Sequence, residues 1–204
     1  MVKGTVDTER CVFLCDSSGS GSDAERTRFT TRVTQLAKEG AHEEAPPLAQ
    51  LLFFWSRLAT IIECNVLPAL VEGKHVFMNG FGGTAYVHAA IQARSPHERA
   101  AILDLHKSMI RNCVIGVGVP PPTYLWLKPT PEIALRRRRA DKELPRVVDP
   151  LKYIEDVNKE FEFYGRLEGQ TVIPIDADQS AENVLREALQ YIDPQGSLLV
   201  SKAA

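Results

Sequence analysis

The segment that follows the first apolar run of the chain has a composition that could hold a phosphate group. Cys11–Cys15 is a short apolar stretch, and the Ser- and Gly-rich loop after it leads into a stretch with helical spacing. In such a strand–loop–helix unit, glycines allow backbone N–H groups to converge on an anion, and the helix N-terminus adds partial positive charge. The complete motif is GxxxxGK[ST], in which the lysine reaches the outer phosphates and the hydroxyl group holds Mg²⁺.

Aligned on its second glycine, the loop keeps the outline of that motif but not its positive charge. Its positions are Asp16, Ser17, Ser18, Gly19, Ser20, Gly21, Ser22 and Asp23. Asp16 replaces the first glycine, Ser22 the lysine and Asp23 the hydroxyl residue. A carboxylate ~4 Å from a phosphate charge repels it by about 4 kcal/mol at an effective dielectric of about 20. The loop therefore predicts weak triphosphate binding and weaker phosphoryl transfer; the simpler alternative is that Ser22 and Glu25 only cap a helix.

Short apolar runs alternate with helical patterns along the chain and must position these residues. Four runs have the length of buried strands: residues 11–15, 75–78, 123–128 and 171–175. Helical patterns cover residues 48–72, 84–93, 96–112, 150–167 and 180–192, and a further helix begins at Pro131. Because strands that alternate with helices form parallel sheets, the sequence predicts an α/β fold in one domain over residues 1–204.

Composition limits the possible classes of function. The 204 residues carry 24 Lys and Arg against 26 Asp and Glu, so no basic excess favours nucleic acid or an anionic membrane. No apolar run approaches the ~20 residues of a membrane span, and the first residues lack the apolar core of a signal peptide. Four cysteines without a CxxC pair predict buried thiols in a reducing compartment, and the histidine spacing predicts no metal site. The chain is expected to be soluble and intracellular, in the cytoplasm or inside an organelle.

Several collinear segments resemble the thymidylate kinase family. LLFFWSR at 51–57 and VLPALVEGKHVFM at 66–78 are similar to the family pattern LLLFAADR…PALxxGxxVIxDRY in order and spacing. YLWLKPTPEIALRRRR at 124–139 looks like the strand and the start of the lid helix, and VIPIDADQS at 172–180 resembles the VIDAxQS turn beside the adenine. The resemblance implies a P-loop nucleoside monophosphate kinase fold of three α/β/α layers, with a lid at about 136–149 and a flexible tail at about 194–204.

Carried over residue by residue, the resemblance implies a monophosphate pocket whose walls are better preserved than its chemistry. Phe53 falls where the family stacks an aromatic ring on thymine, Arg57 on a nucleotide-contacting arginine, and Thr84 where a Ser or Thr follows the DRY motif. The DRY motif reads Asn79-Gly80-Phe81 here. The carboxylate near the metal and the arginine near the phosphate are therefore missing.

The remaining implied site residues lie in the lid and in the adenine-side turn. Arg136 and Arg139 are candidate lid residues, and Ala177, Asp178 and Gln179 form the turn. Only seven residues separate Gly40 from Leu48, so the substrate loop of the family, with its phosphate-binding arginine, has no counterpart.

Each of these positions also has a purely structural alternative. Phe53 would pack in the core and Arg57 would pair with a neighbouring carboxylate. The arginines at 136–139 advance ~100° per residue, so most of them would form a solvated helix surface. A nucleic-acid patch is disfavoured because the acidic segment Glu155–Glu162 follows.

Three hypotheses of function follow. The first is a thymidylate-kinase-like protein that has lost phosphoryl transfer and serves as a nucleotide-binding or protein-interaction module, as a homodimer through Leu48–Glu72 or as a subunit of an assembly. The second is a divergent but active nucleoside monophosphate kinase that uses ATP and Mg²⁺, with Arg26, Arg28 or lid arginines in place of the lysine and Asp23 on the metal. The third is a structural subunit whose old pocket is filled by its own side chains.

Overall fold

Pairs of short strands form the sheet elements of the chain. The computed structural model describes residues 4–6, 10–15, 32, 35, 45–140, 149–193 and 199–201. Within this part, β2 (Cys11–Cys15) pairs in parallel with β3 (His75–Asn79), and β4 (Thr123–Lys128) pairs in parallel with β5 (Thr171–Asp176). The parallel α/β class predicted from the sequence is confirmed. A further antiparallel pair, β1 (Gly4–Val6) with β6 (Leu199–Ser201), was not predicted, and β6 lies within the segment expected to be a flexible tail.

The chain divides into two compact units. The first comprises residues up to Pro121 together with Leu198–Ala204, and the second is Pro122–Ser197. One domain over residues 1–204 stays a prediction. Among the described residues of the first unit, the helices include α1 (Pro47–Ile61), α2 (Leu67–Val71), α3 (Gly82–Ile91) and α4 (Pro96–Met109). Those described in the second unit are α5 (Pro131–Ala140), α6 (Pro150–Gly165) and α7 (Ala181–Ile192).

A π-helical turn, Ile62–Val66, joins α1 to α2. The sequence predicts one long helix in which Pro68 either causes a kink or marks the last turns, and the structure shows how the proline is accommodated. Proline has no N–H to donate, and its ring would clash with the preceding turn of a regular α-helix. The turn widens instead, and the N–H of Leu67 bonds to the carbonyl oxygen of Ile62, five residues earlier.

The combined segment Pro47–Val71 is long and apolar enough, by length and composition alone, to cross a membrane. A core helix of a soluble protein passes the same test, so this finding does not indicate a membrane protein. The buried side of α1 carries Leu51, Trp55 and Leu58, each at most 2% exposed. These residues follow helical spacing and give the first unit its core.

Side-chain caps fix where three of the helices begin. Ser95 accepts the N–H of Glu98 at 3.1 Å before α4, Asp149 accepts the N–H of Lys152 at 3.1 Å before α6, and Ser180 accepts the N–H of Asn183 at 3.3 Å before α7. Each cap satisfies a backbone donor that has no partner within its helix. The sequence predicted the start of α7 at Ser180, and the cap accounts for that position.

The core of the first unit depends on a close approach between α1 and α3 at Gly82. A Cβ atom at Gly82 would lie 2.6 Å from Cζ2 and 2.8 Å from Cη2 of Trp55. The indole is 2% exposed and has little room to move. The indole of Trp55 and the missing side chain of Gly82 therefore form one matched packing unit.

We expect Gly82→Ala to lower the free energy of unfolding by about 1–3 kcal/mol, because the added methyl group overpacks the core. Urea unfolding of the variant and of the wild-type chain measures the effect. Trp55→Phe removes the two ring atoms that clash, so the double variant should lose less stability than the two single losses combined. Additive losses would contradict this packing contact.

Candidate functional site

The phosphate-loop remnant, Asp16–Asp23, lies outside the described residues, as do Glu25 and residues 141–148 of the predicted lid. In the tail, residues 194–198 and 202–204 also lie outside them. The described candidate residues fall into two groups, one in each unit. The predicted pocket residues Phe53, Arg57, Asn79, Phe81 and Thr84 belong to the first unit, and the predicted lid and turn residues belong to the second.

Helix α1 presents an arginine that is largely withdrawn from solvent. Arg57 is 7% exposed, and its guanidinium carbon lies 5.6 Å from the centroid of the Phe54 ring. This is a cation–π contact, which becomes stronger as water is excluded. Phe53, one residue earlier than Phe54, is half-buried. The aromatic partner of Arg57 on this helix is therefore Phe54, a residue that the sequence pattern did not indicate.

The end of β3 and the start of α3 bring the other three pocket residues together. Asn79 ends the strand and is exposed, and Gly80 follows with φ +80°. The carbonyl oxygen of Phe81 accepts the N–H of Thr84 at 2.9 Å, which places half-buried Thr84 in the first turn of α3. The left-handed conformation at position 80 favours glycine, because a Cβ atom would be strained there. A backbone of this shape does not readily accept an arginine at position 80.

Phe81 meets α1 through Trp55. The two rings pack edge to face, with centroids 6.5 Å apart and an interplanar angle of 76°. Trp55 falls where the family pattern LLLFAADR has an alanine. This replacement of a small residue by a large aromatic one was the one feature of the sequence that pointed to the contact with Phe81. Phe81, at the tyrosine position of the DRY motif, therefore presents an apolar ring that packs against the indole of Trp55.

His106 of α4 completes this aromatic cluster. Its ring centroid lies 5.7 Å from that of Trp55 and 5.2 Å from that of Tyr86. His106 is 1% exposed, and desolvation by burial lowers its pKa from 6.5 to about 4. The imidazole is thus neutral near pH 7 and acts as a packing residue. Among the described residues, no group of three His, Cys, Asp or Glu side chains is arranged to hold a metal ion.

The adenine-side turn after β5 is held by hydrogen bonds from its own side chains. Oδ1 of Asp178 accepts the backbone N–H of Thr130 at 2.7 Å, and the N–H of Asp178 donates to Oδ1 of Asp176 at 2.9 Å. Nε2 of Gln179 donates to the carbonyl oxygen of Asp176 at 2.9 Å and to Oε2 of Glu187 at 2.6 Å. Ala177 is buried. The structure therefore brings the three turn residues into one ordered element.

A different arginine from the two predicted reaches this turn. Arg136 and Arg139 are exposed on α5. Arg137 donates from one terminal nitrogen to the carbonyl oxygen of Ala177 at 2.6 Å and from the other to that of Gln179 at 3.3 Å. Four consecutive arginines give the sequence no signal to distinguish them, and only the orientation of the helix selects Arg137.

Burial of His106 predicts a dependence of stability on pH. The unfolded chain takes up a proton at His106 near pH 6.5, whereas the folded chain does so only near pH 4. Between these values the unfolded state binds more protons, so the free energy of unfolding falls as the pH is lowered through this range. We expect the contribution of His106 to fall by about 2 kcal/mol between pH 7 and about pH 5.

Urea unfolding at the two pH values measures this loss. His106→Phe keeps an aromatic ring in the core but cannot titrate, so its stability should depend less on pH than that of the wild-type chain. His97→Gln, at an exposed position, should keep the wild-type dependence. An equal pH dependence in His106→Phe and the wild-type chain would contradict the assignment.

No family model matches the chain. A thymidylate kinase of Chlorobaculum parvum is 28% identical over 178 residues, which cover 81% of this chain and 77% of that protein. A thymidylate kinase of Acinetobacter baumannii is 24% identical over 182 residues, covering 89% and 84%. One from Thermoanaerobacter sp. is 29% identical over 92 residues, covering 45% of this chain and 41% of the relative. With the parallel strand pairs and the collinear motifs, these similarities support a thymidylate-kinase-like family, and the structure is consistent with an α/β P-loop kinase-like fold.

Proposed function

We propose that the chain binds a nucleoside monophosphate in its first unit and no longer transfers phosphoryl groups. The observation that carries this proposal is the start of α3, where Asn79, Gly80 and Phe81 stand in place of the DRY motif. This segment has no charged side chain. Gly80 has φ +80°, and Phe81 packs on Trp55. Both the backbone and the packing therefore favour uncharged residues in this segment.

Electrostatics support the loss of transfer. Phosphoryl transfer is catalysed mainly by positive charge placed around the transferring group, from Lys, Arg and Mg²⁺. This chain lacks the loop lysine, the loop hydroxyl, the DRY pair and the substrate-loop arginine. Each ~1.4 kcal/mol of lost transition-state stabilisation lowers the rate tenfold. Several such losses together reduce transfer to the uncatalysed background.

Retention of binding is supported by Arg57. Burying a guanidinium costs free energy unless its N–H groups are satisfied. The cation–π contact with Phe54 covers one face of the guanidinium, and the side chain is only 7% exposed, so its positive charge lies where water is largely excluded. A nucleotide phosphate would compensate this poorly solvated positive charge, and half-buried Phe53 on the same helix would contact the base.

The same proposal includes the setting of the protein. Free thiols at Cys11, Cys64 and Cys113 support a reducing intracellular compartment. Self-association through the apolar segment Leu48–Glu72 is supported by the exposed side chains of Leu52 and Val71, which are 45% and 86% accessible. A single domain over residues 1–204 is part of the proposal.

The test combines a binding measurement with a turnover assay. Calorimetric titration with thymidine monophosphate should give saturable binding to the wild-type chain. ADP formation with ATP, Mg²⁺ and thymidine monophosphate should stay at the level of the buffer control. Arg57→Gln should weaken binding by at least about tenfold, which is the order expected for a lost charge-assisted hydrogen bond. The exposed Arg111→Gln is the matched control and should bind like the wild-type chain.

Two results would overturn the proposal in different directions. Metal-dependent formation of ADP and thymidine diphosphate would show an active, divergent kinase. If no nucleoside monophosphate binds at millimolar concentration, the hypothesis of a nucleotide-binding module is excluded and that of a structural subunit remains. Circular dichroism of Arg57→Gln establishes that the variant is folded before its affinity is interpreted.

A further inference from the structure

Helix α1 places an aromatic ring and an arginine side by side. Phe54 and Arg57 are three residues apart, a spacing at which helical side chains are neighbours. The guanidinium carbon of Arg57 lies 5.6 Å from the centroid of the Phe54 ring. Phe54 is half-buried and Arg57 is buried, so the attraction between the cation and the ring acts where water is largely excluded.

The contact depends on a residue at which this chain departs from the pattern that it resembles. In LLLFAADR, an alanine and an aspartate occupy the positions of Phe54 and Ser56. An alanine has no ring to place against a guanidinium. The hydroxyl group of Ser56 is uncharged and donates to the carbonyl oxygen of Leu52 at 3.0 Å, within the helix. The two departures therefore place a ring against Arg57 and a neutral side chain next to it in sequence.

An aromatic partner and an acidic partner act on an arginine in different ways. A carboxylate orients the guanidinium and also cancels its charge, whereas the ring of Phe54 attracts the guanidinium and leaves its charge in place. An arginine side chain that rotates freely loses much of its rotamer freedom when it binds an anion. A ring that restricts the rotamers in advance reduces this loss. The Phe54 ring can therefore strengthen anion binding by Arg57 without touching the anion.

We propose that Phe54 is a positioning residue, which holds the guanidinium of Arg57 in one orientation and so raises the affinity of the first unit for the phosphate of a nucleoside monophosphate. The role in binding rests on the proposed function. Phe54 acts through Arg57, so its effect on affinity depends on the electron density of its ring and vanishes when the guanidinium is removed.

Nuclear magnetic resonance tests the contact without any ligand. The ring current of Phe54 should shift the side-chain proton signals of Arg57, and Phe54→Leu, which keeps an apolar side chain but no ring, should abolish this shift. The Nε proton of Arg57 should exchange with solvent about threefold faster in Phe54→Leu than in the wild-type chain. Phe163→Leu, in the second unit, is the matched control and should change neither signal. Unchanged Arg57 signals in Phe54→Leu would overturn the contact.

Fluorination of the ring separates its electrostatic effect from its packing. Phenylalanines with one, two and three ring fluorines at position 54 withdraw electron density from the ring face and change its size little. Affinity for thymidine monophosphate in calorimetric titration should fall stepwise along this series, by about fivefold at its end. Phe54→Tyr keeps an electron-rich ring and should bind within about twofold of the wild-type chain. The same fluorinated series at Phe163 should leave the affinity unchanged.

A cycle of two variants tests whether Phe54 acts through Arg57. Phe54→Leu should weaken the binding of thymidine monophosphate about fivefold in the wild-type background. In the Arg57→Gln background, which binds more weakly, the same change should have no further effect. Equal losses in the two backgrounds would mean that Phe54 contacts the ligand or supports the fold, and would overturn the positioning role.

The possible failures are distinguishable. Arg57 signals that depend on the ring, together with equal affinity along the fluorinated series, would overturn the role in binding. If the wild-type chain does not bind thymidine monophosphate, the proposed function fails and the role in binding fails with it, whereas the Arg57 signals still decide the contact. Circular dichroism of each variant establishes that it is folded before its affinity is interpreted.

Discussion

The contact between the indole of Trp55 and Gly82 is the constraint on which the first unit depends. It allows α1 and α3 to approach to a distance that any side chain at position 82 would prevent. The same indole contacts the rings of Phe81 and His106, so one residue joins the end of β3, the start of α3 and the interior of α4. The geometry of the candidate pocket therefore follows from packing and not from the polar residues that line it.

This packing has an electrostatic consequence. Active kinases of the P-loop type surround the transferred group with positive charge, and here the corresponding strand end is occupied by an amide, a glycine and an aromatic ring. Restoring arginine at position 80 would require a side chain on a left-handed backbone, at a cost in strain. The uncharged sequence at positions 79–81 and the left-handed backbone of Gly80 are therefore consistent with each other.

The two units use arginine in different ways. Arg57 is buried against the ring of Phe54, where its charge is poorly solvated. Arg137 lies on the surface of α5 and donates hydrogen bonds to two backbone carbonyls of the same unit. In the proposed function Arg57 supplies positive charge to a bound anion, whereas Arg137 holds a turn through two hydrogen bonds. The contrast explains why residue type alone does not identify a binding residue.

The sequence by itself determined the four strands of the two parallel pairs, the main helices, the start of α7 near Ser180 and the family resemblance, because these depend on local patterns of apolar and turn residues. Tertiary structure alone decided that Trp55 fills the space above Gly82, that Phe54 and not Phe53 lies under Arg57, and that Arg137 among four arginines reaches the turn. These outcomes depend on the orientation of one helix relative to another segment. Local spacing fixes which side chains share a face of a helix, but not which neighbour that face meets.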